Sequence, residues 1–107
     1  TMFPERITVG ENSIIGFNTT ILAHEYLIEE YRIGDVIIGD RVMIGANTTI
    51  LPGVEIGDGA VVSAASLVNR DIPAGAMAGG NPVRIIYTAE QLEERRRASQ
   101  QLEVDKK

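Results

Sequence analysis

Aliphatic residues recur at every sixth position through the middle of the chain, between Val36 and Pro73. A small or β-branched residue follows each of them four positions later. The repeating aliphatics are Ile38, Ile44, Ile50, Ile56, Val62 and Val68, and their small partners are Val42, Thr48, Val54, Ala60, Ser66 and Ile72. A period of six fits neither an α-helix nor an ordinary amphipathic strand, so the pattern indicates a structural repeat.

The geometry of a β-strand explains this period. Alternate side chains share one face of a strand, so the aliphatic and its partner four positions later both point inward. Gly39, Gly45 and Gly57 follow their aliphatics, and we expect them to supply the backbone dihedrals of a sharp corner. Asn18 and Asn47 lie at the fourth position of their hexads, where a corner can need a left-handed residue. Short flats joined by corners, stacked about 5 Å apart, predict a parallel β-helix.

The repeat is interrupted once, between its first hexads and the long run that follows. The first hexads begin at Val9, Ile15 and Ile21, and their phase does not match that of Ile38. We interpret the mismatch as an excursion loop at 24–32, with five extra residues inserted between two hexads. A loop that projects from a rigid repeat is where function is commonly found.

The C-terminal part of the chain has a different pattern. The hexads decay, and residues 76–87 are interpreted as an irregular loop that closes the last coil and its strand edge. Thr88 and Gln91 have the spacing of a capping box, so the tail at 88–107 is predicted to contain an α-helix. The chain is therefore expected to comprise a β-helix domain at 1–87 and a short helical tail.

Composition narrows the possible functions. A chain of 107 residues corresponds to one domain of about three coils, which we expect to bury its flanks against other subunits. The absence of cysteine excludes thiol chemistry and fits a reducing compartment, so a cytoplasmic location is expected. The net charge of −5 argues against nonspecific nucleic-acid binding. No apolar run is long enough to predict a membrane span, and no signal peptide is recognisable.

His24 is the single histidine and lies on the predicted excursion. An imidazole with a free pKa of about 6.5 is a good general base near neutral pH. In acyl transfer it would take the proton of an acceptor hydroxyl or amine as that atom attacks a thioester. Glu25, Tyr26 and Glu29 share the excursion and are expected on its substrate side, where a carboxylate would orient the ring. The alternative is a surface histidine without a catalytic role.

The order of features is more specific than any one residue. After the histidine-bearing loop and further hexads come Ile-Gly-Asp-Gly-Ala-Val-Val-Ser-Ala-Ala-Ser-Leu-Val-Asn-Arg-Asp-Ile-Pro-Ala-Gly and then Gly-Gly-Asn-Pro-Val-Arg-Ile-Ile. Over about residues 7–87, this order resembles the maltose, galactoside and xenobiotic O-acetyltransferases of the hexapeptide-repeat superfamily. The resemblance implies a left-handed triangular β-helix, His24 as the general base, acetyl-CoA as co-substrate without a required metal, and a homotrimer with active sites between subunits.

The resemblance also implies a set of coenzyme contacts. Ala46 and Ala64 match positions that meet the pantetheine arm, and Asn69 and Arg70 match a Thr-Lys pair near the coenzyme. Arg84 matches a basic residue near the nucleotide phosphates. Narrow coils would let backbone amides reach the arm, and the few bases of an acidic body would meet phosphate. Ordinary surface charge is the alternative for the two arginines, and simple packing is the alternative for Ala64.

Three functional hypotheses follow. The first is a CoA-dependent O- or N-acetyltransferase acting on a sugar-like small molecule. The second is a β-helical trimerisation or scaffold module without turnover, or a truncated transferase. The histidine-bearing loop favours the first hypothesis, whereas the family's N-terminal segment, with its acceptor-site residues, is not found before residue 7 of this sequence, which favours the second. The third, a zinc enzyme of the γ carbonic anhydrase type, needs three histidine ligands where this chain has one. Two departures from the family pattern are Glu25 directly after His24 and Ala65 at a position that is usually glycine.

Overall fold

The computed structural model describes residues 7–22, 24–26, 31–33 and 35–105. These residues form short strands followed by one α-helix. In chain order the elements are β1 (Ile7–Val9), β2 (Ile14–Ile15), β3 (Thr20–Ile21), β4 (His24–Tyr26), β5 (Tyr31–Ile33), β6 (Val36–Ile38), β7 (Met43–Ile44), β8 (Thr49–Ile50), β9 (Glu55–Ile56), β10 (Val61–Val62), β11 (Leu67–Val68), β12 (Met77–Gly79), β13 (Arg84–Tyr87) and α1 (Ala89–Asp105).

The strands stack into three walls. Wall A has the order β1-β6-β9, wall B has the order β2-β7-β10-β12-β13, and wall C has the order β3-β8-β11. All neighbours within these walls are parallel except β12 and β13. We call β1–β3 the upper coil, β6–β8 the middle coil and β9–β11 the lower coil. The predicted all-β parallel β-helix with a short C-terminal helix is thereby confirmed.

The interior contains the side chains that the hexad pattern placed there. Each repeating aliphatic from Ile38 to Val68, and each of its small partners from Val42 to Ile72, is at most 3% exposed. The two buried polar partners are satisfied locally: Thr48 Oγ1 donates to the Gly45 carbonyl and Ser66 Oγ donates to the Ser63 carbonyl, both at 2.8 Å. Stacked β-branched side chains therefore provide the core that holds the walls together.

The corners do not use glycine in the way expected. Left-handed φ values fall at the fourth position of the hexads, and they include Asn18 at 62° and Asn47 at 58°, as predicted. The expectation for Gly39, Gly45 and Gly57 is wrong, because these glycines are not among the residues with positive φ. They are needed for close packing of the coils instead: a Cβ at Gly45 would lie 2.4 Å from the backbone nitrogen of Ala64 on the lower coil.

The excursion is longer than expected. Hydrogen-bonded partners on the upper and middle coils are 29 positions apart, whereas those on the middle and lower coils are 18 apart. The insertion is therefore 11 residues, and the prediction of five is wrong. In the described part of this segment, β4 and β5 pair as antiparallel strands outside the three walls, with His24 opposite Ile33.

The C-terminal segment is more regular than the predicted loop. β12 continues wall B alongside β10, and β13 returns antiparallel to β12. The backbone of Gly80 and Val83 hydrogen-bonds to Leu67, so the segment also covers the lower edge of wall C. α1 begins after a reciprocal capping box, in which the Thr88 N–H donates to Gln91 Oε1 at 2.9 Å and the Gln91 N–H donates to Thr88 Oγ1 at 3.2 Å. No helix among the described residues has the length and apolar character needed to cross a bilayer.

Candidate functional site

All the predicted site residues that the structure describes border wall C. Ala46 and Ala64 precede its strands at one corner, while Asn69 and Arg70 follow its lowest strand at the other. β4 begins at His24, shortly after the uppermost strand of the same wall. The parallel stacking of two-residue flats brings these positions together although they are far apart in sequence.

The lower end of wall C carries a basic groove. Asn69, Arg70 and Arg84 line an open groove of about 470 Å³, together with Pro82, Val83 and Ile85. The groove exists because the segment after β12 crosses beneath Leu67, which places the start of β13 beside the end of β11. The side chains of Asn69, Arg70 and Arg84 are exposed. Within the described part of the chain, no carboxylate pairs with either arginine, so both guanidinium groups are available to an anion.

The corner at the other side of wall C carries a column of small residues. Ala46 lies above Ala64, since the backbone N–H of Ala65 donates to the Ala46 carbonyl at 2.8 Å. Gly45, the residue before Ala46, allows this approach, because a Cβ at Gly45 would lie 2.4 Å from Ala64 N. Ala46 is half-buried and Ala64 is exposed. The column is therefore narrow, with backbone close to its surface.

The histidine hairpin leaves the upper end of wall C. β4 and β5 are placed through their backbone pairing, with Glu25 opposite Arg32 and Tyr26 opposite Tyr31. Glu29 lies in 27–30, outside the described residues. Because β3 and β11 are separated by one strand, the origin of the hairpin is about 10 Å along the wall from the basic groove.

Three groove residues were not singled out from the sequence. Pro82, Val83 and Ile85 flank Arg84 in the groove. Val83 is buried and Ile85 packs against the core, so they fix the position of Arg84 as well as lining the groove. The available signal was the Gly-Gly-Asn-Pro-Val-Arg-Ile-Ile motif itself, of which only the arginine was assigned a role. Among the described residues, no group of three or more His, Asp or Glu side chains is arranged to hold a metal ion.

Comparison with known proteins identifies the repeat. Residues 35–70 match the family model described as the hexapeptide repeat of succinyl-transferase. The chain is 74% identical over 98 residues to YvoF of Bacillus subtilis (strain 168), a protein provisionally named an acetyltransferase; the match covers 92% of this chain and 57% of YvoF. The chain thus spans little more than half the length of this relative.

Two solved structures have the same fold. A hexapeptide-repeat acetyltransferase of Vibrio cholerae O1 biovar eltor, complexed with acetyl-CoA, superposes with a TM-score of 0.73 at 34% identity, covering 78% of this chain and 49% of that one. A galactoside acetyltransferase in complex with coenzyme A superposes with a TM-score of 0.72, also at 34% identity, covering 78% of this chain and 45% of that one. With the repeat, the fold and these likenesses in agreement, the chain belongs to the hexapeptide-repeat acetyltransferase family.

Proposed function

We propose that this chain is the coenzyme-binding and catalytic β-helix of an acetyltransferase that moves an acetyl group from acetyl-CoA to a hydroxyl or amine of a sugar-like small molecule. The observation that carries the proposal is the layout of wall C. Two arginines that pair with no carboxylate of the described residues share a groove with the Asn69 amide at its lower end, and the histidine hairpin leaves its upper end. Coenzyme A carries phosphates at one end and a thiol at the other. The basic groove and the histidine hairpin, at opposite ends of wall C, could therefore each meet one end of the coenzyme.

The coenzyme would lie along wall C. Arg70 and Arg84 would bind the phosphates, since guanidinium groups form strong, charge-assisted hydrogen bonds with phosphate oxygens. The pantetheine arm would pass the column of Ala46 and Ala64, where small side chains leave backbone amides within reach. The acetyl thioester would then lie at the level of the upper coil, beside the hairpin.

The reaction follows from these positions. The His24 imidazole would accept the proton of the acceptor O–H or N–H as that oxygen or nitrogen bonds to the thioester carbonyl carbon. The tetrahedral intermediate would collapse with cleavage of the C–S bond, and the imidazolium would return its proton to the departing sulfur. The products are the acetylated acceptor and free coenzyme A. Glu25, Tyr26 and Glu29 would line the acceptor side of the hairpin.

The proposal includes a left-handed winding of about three coils and a homotrimer with sites between subunits. The outer face of wall B supports the assembly. Ile14, Met43, Val61 and Met77 lie in register along it, with Ile14 60% exposed and Met43 50% exposed. A continuous apolar ladder of this kind is typical of a surface that is buried in an assembly. None of the four ladder residues lines the basic groove, so the same ladder also favours the second candidate, a trimerisation module without turnover.

Turnover assays separate the two candidates. The protein, expressed from the complete reading frame that contains this chain, would be mixed with acetyl-CoA and a panel of sugar and amine acceptors. The acetyltransferase proposal predicts acetylation that falls by about 10²–10⁴ in His24→Ala and in His24→Gln, while the Kd for CoA is unchanged. Turnover that survives both substitutions would remove His24 as base. No binding of CoA at millimolar concentration would leave the trimerisation module.

A further inference from the structure

One aromatic side chain stands at the upper end of the alanine column. Phe17 occupies the third position of its hexad, as Ala46 and Ala64 do in theirs. The Asn47 N–H donates to the Phe17 carbonyl at 2.9 Å, and the Ala65 N–H donates to the Ala46 carbonyl at 2.8 Å, so the three residues are stacked in register. Phe17 is 86% exposed, more than any other large hydrophobic residue in the described part of the chain.

The surroundings of Phe17 are polar. Asn18 is exposed, and its side-chain Nδ2 donates to Asn47 Oδ1 at 2.8 Å. Among the described residues, no donor reaches Asn18 Oδ1, which leaves that oxygen available to a ligand hydroxyl. Thr20, at the start of β3, is exposed on the adjoining outer face of wall C. The Phe17 ring, beside amide and hydroxyl groups, differs from the apolar ladder of wall B. It fits a ring-shaped ligand that has both C–H faces and hydroxyl groups.

The position of Phe17 along wall C indicates which of the two substrates it would contact. On the proposed function, which this inference deepens, the phosphates lie at the lower coil and the arm passes Ala64 and then Ala46. Phe17 lies one coil further, at the level of the strand from which the His24 hairpin departs. It therefore stands beyond the coenzyme arm, on the acceptor's side of the thioester. An acetyl group is too small to cover a phenyl ring, whereas a six-membered sugar ring covers one face of it.

We infer that Phe17 is a specificity-determining residue of the acceptor site: its ring stacks on the C–H face of a pyranose while Asn18 Oδ1 accepts from one of the sugar hydroxyls. The acceptor class is thus a pyranoside rather than an open-chain alcohol or amine. Stacking of this kind contributes equally to the bound substrate and the transition state, so it acts on KM and leaves kcat unchanged.

Kinetics with paired acceptors test the inference. Phe17→Ala is compared with Phe17→Tyr and with Ile37→Ala, which removes a 41%-exposed aliphatic from wall A. For a pyranoside that the wild type acetylates, we expect KM to rise about tenfold in Phe17→Ala, to stay within twofold in Phe17→Tyr, and to be unchanged in Ile37→Ala. The KM for an open-chain polyol and the Kd for acetyl-CoA should not respond to any of the three.

The possible contrary results distinguish the role of Phe17 from the proposed function. Equal effects on the pyranoside and the open-chain polyol, or no effect on either, would overturn the role of Phe17 and leave the acetyltransferase proposal intact. A change in sedimentation of Phe17→Ala, accompanied by loss of activity towards every acceptor, would show that the ring belongs to a subunit contact and would overturn the inference. A wild-type protein that binds CoA but acetylates no acceptor would overturn the proposed function, and this inference with it.

Discussion

Ala65 lies directly below Asn47 in the stack, and both residues have a left-handed backbone with φ of 58°. Asparagine adopts this conformation readily, whereas the Cβ of alanine approaches the following carbonyl at a cost of about 1–2 kcal/mol. The Ala65 N–H bonds to the Ala46 carbonyl, so the corner is held by the stack above it and not by its own side chain. The left-handed corner is therefore imposed on Ala65 by its neighbours.

Replacing Ala65 with glycine should stabilise the protein. We expect Ala65→Gly to raise the free energy of unfolding by about 0.5–1 kcal/mol, because relief of the left-handed strain exceeds the entropy that glycine adds to the unfolded chain. Urea denaturation measures the change. Ala64→Gly is the matched control: this neighbouring exposed alanine has no positive φ, so its replacement should destabilise. A loss of stability in both variants would contradict the assignment of strain to residue 65.

Gly45 should be intolerant of alanine for a different reason. A Cβ at this position would lie 2.4 Å from Ala64 N and 2.6 Å from Ala64 Cα, which are backbone atoms that cannot rotate away. We expect Gly45→Ala to lower the free energy of unfolding by about 3 kcal/mol, since two coils must separate. At Gly59, where φ is +71° but no atom lies within 4 Å of the added Cβ, alanine should cost only about 1 kcal/mol. Equal losses measured in urea would argue against the steric explanation.

The period of six was sufficient to predict the core, but not the corners or the insertion. Buried positions follow from strand alternation alone, which is why the inward set from Ile38 to Ile72 could be read directly from the sequence. The role of Gly45 depends on contact with the next coil, 18 positions away, which local propensity cannot reveal. The length of the insertion depends on which hexads pair across it. The sequence is compatible with an additional hexad at 32–37, whereas the strand pairing of Val9 with Ile38 leaves no place for that hexad and lengthens the insertion by six residues.

The candidate site was predictable only in part. Asn69 and Arg70 were assigned through a family resemblance, and their shared groove with Arg84 arises because 80–83 crosses under Leu67, a tertiary path that no spacing specifies. Phe17 could not be predicted as a site residue from the sequence, because the third position of the hexad is variable. The role proposed for Phe17 depends on the two alanines, Ala46 and Ala64, that are stacked below it.

Ser66 should be important for holding the C-terminal segment against the lower coil. Its hydroxyl accepts the Gly80 N–H at 3.1 Å and donates to the Ser63 carbonyl at 2.8 Å, while its side chain is buried. We expect Ser66→Ala to lower the free energy of unfolding by about 1–2 kcal/mol, because the Gly80 N–H loses its acceptor and the Ser63 carbonyl loses the hydroxyl that donates to it. Hydrogen exchange at the Gly80 amide should accelerate. Ser99→Ala, on the exposed surface of α1, should change stability by less than about 0.5 kcal/mol. Unchanged exchange at Gly80 would show that the segment is held by its strand pairing alone.

The two groove arginines should bind the phosphates of the coenzyme. We expect Arg70→Gln and Arg84→Gln each to raise the Kd for coenzyme A about tenfold, because each removes a charge-assisted contact. The effect should weaken as ionic strength increases, since exposed charges are screened. Arg97→Gln is the control, because Arg97 is already paired with Glu93 on α1 at 3.4 Å, away from the groove. Calorimetric titration with pantetheine, which has no phosphate, should give the same weak binding for all four proteins. A tenfold loss in Arg97→Gln, or losses that are equal for pantetheine and coenzyme A, would mean that the arginines act through general charge or through the fold and not on phosphate.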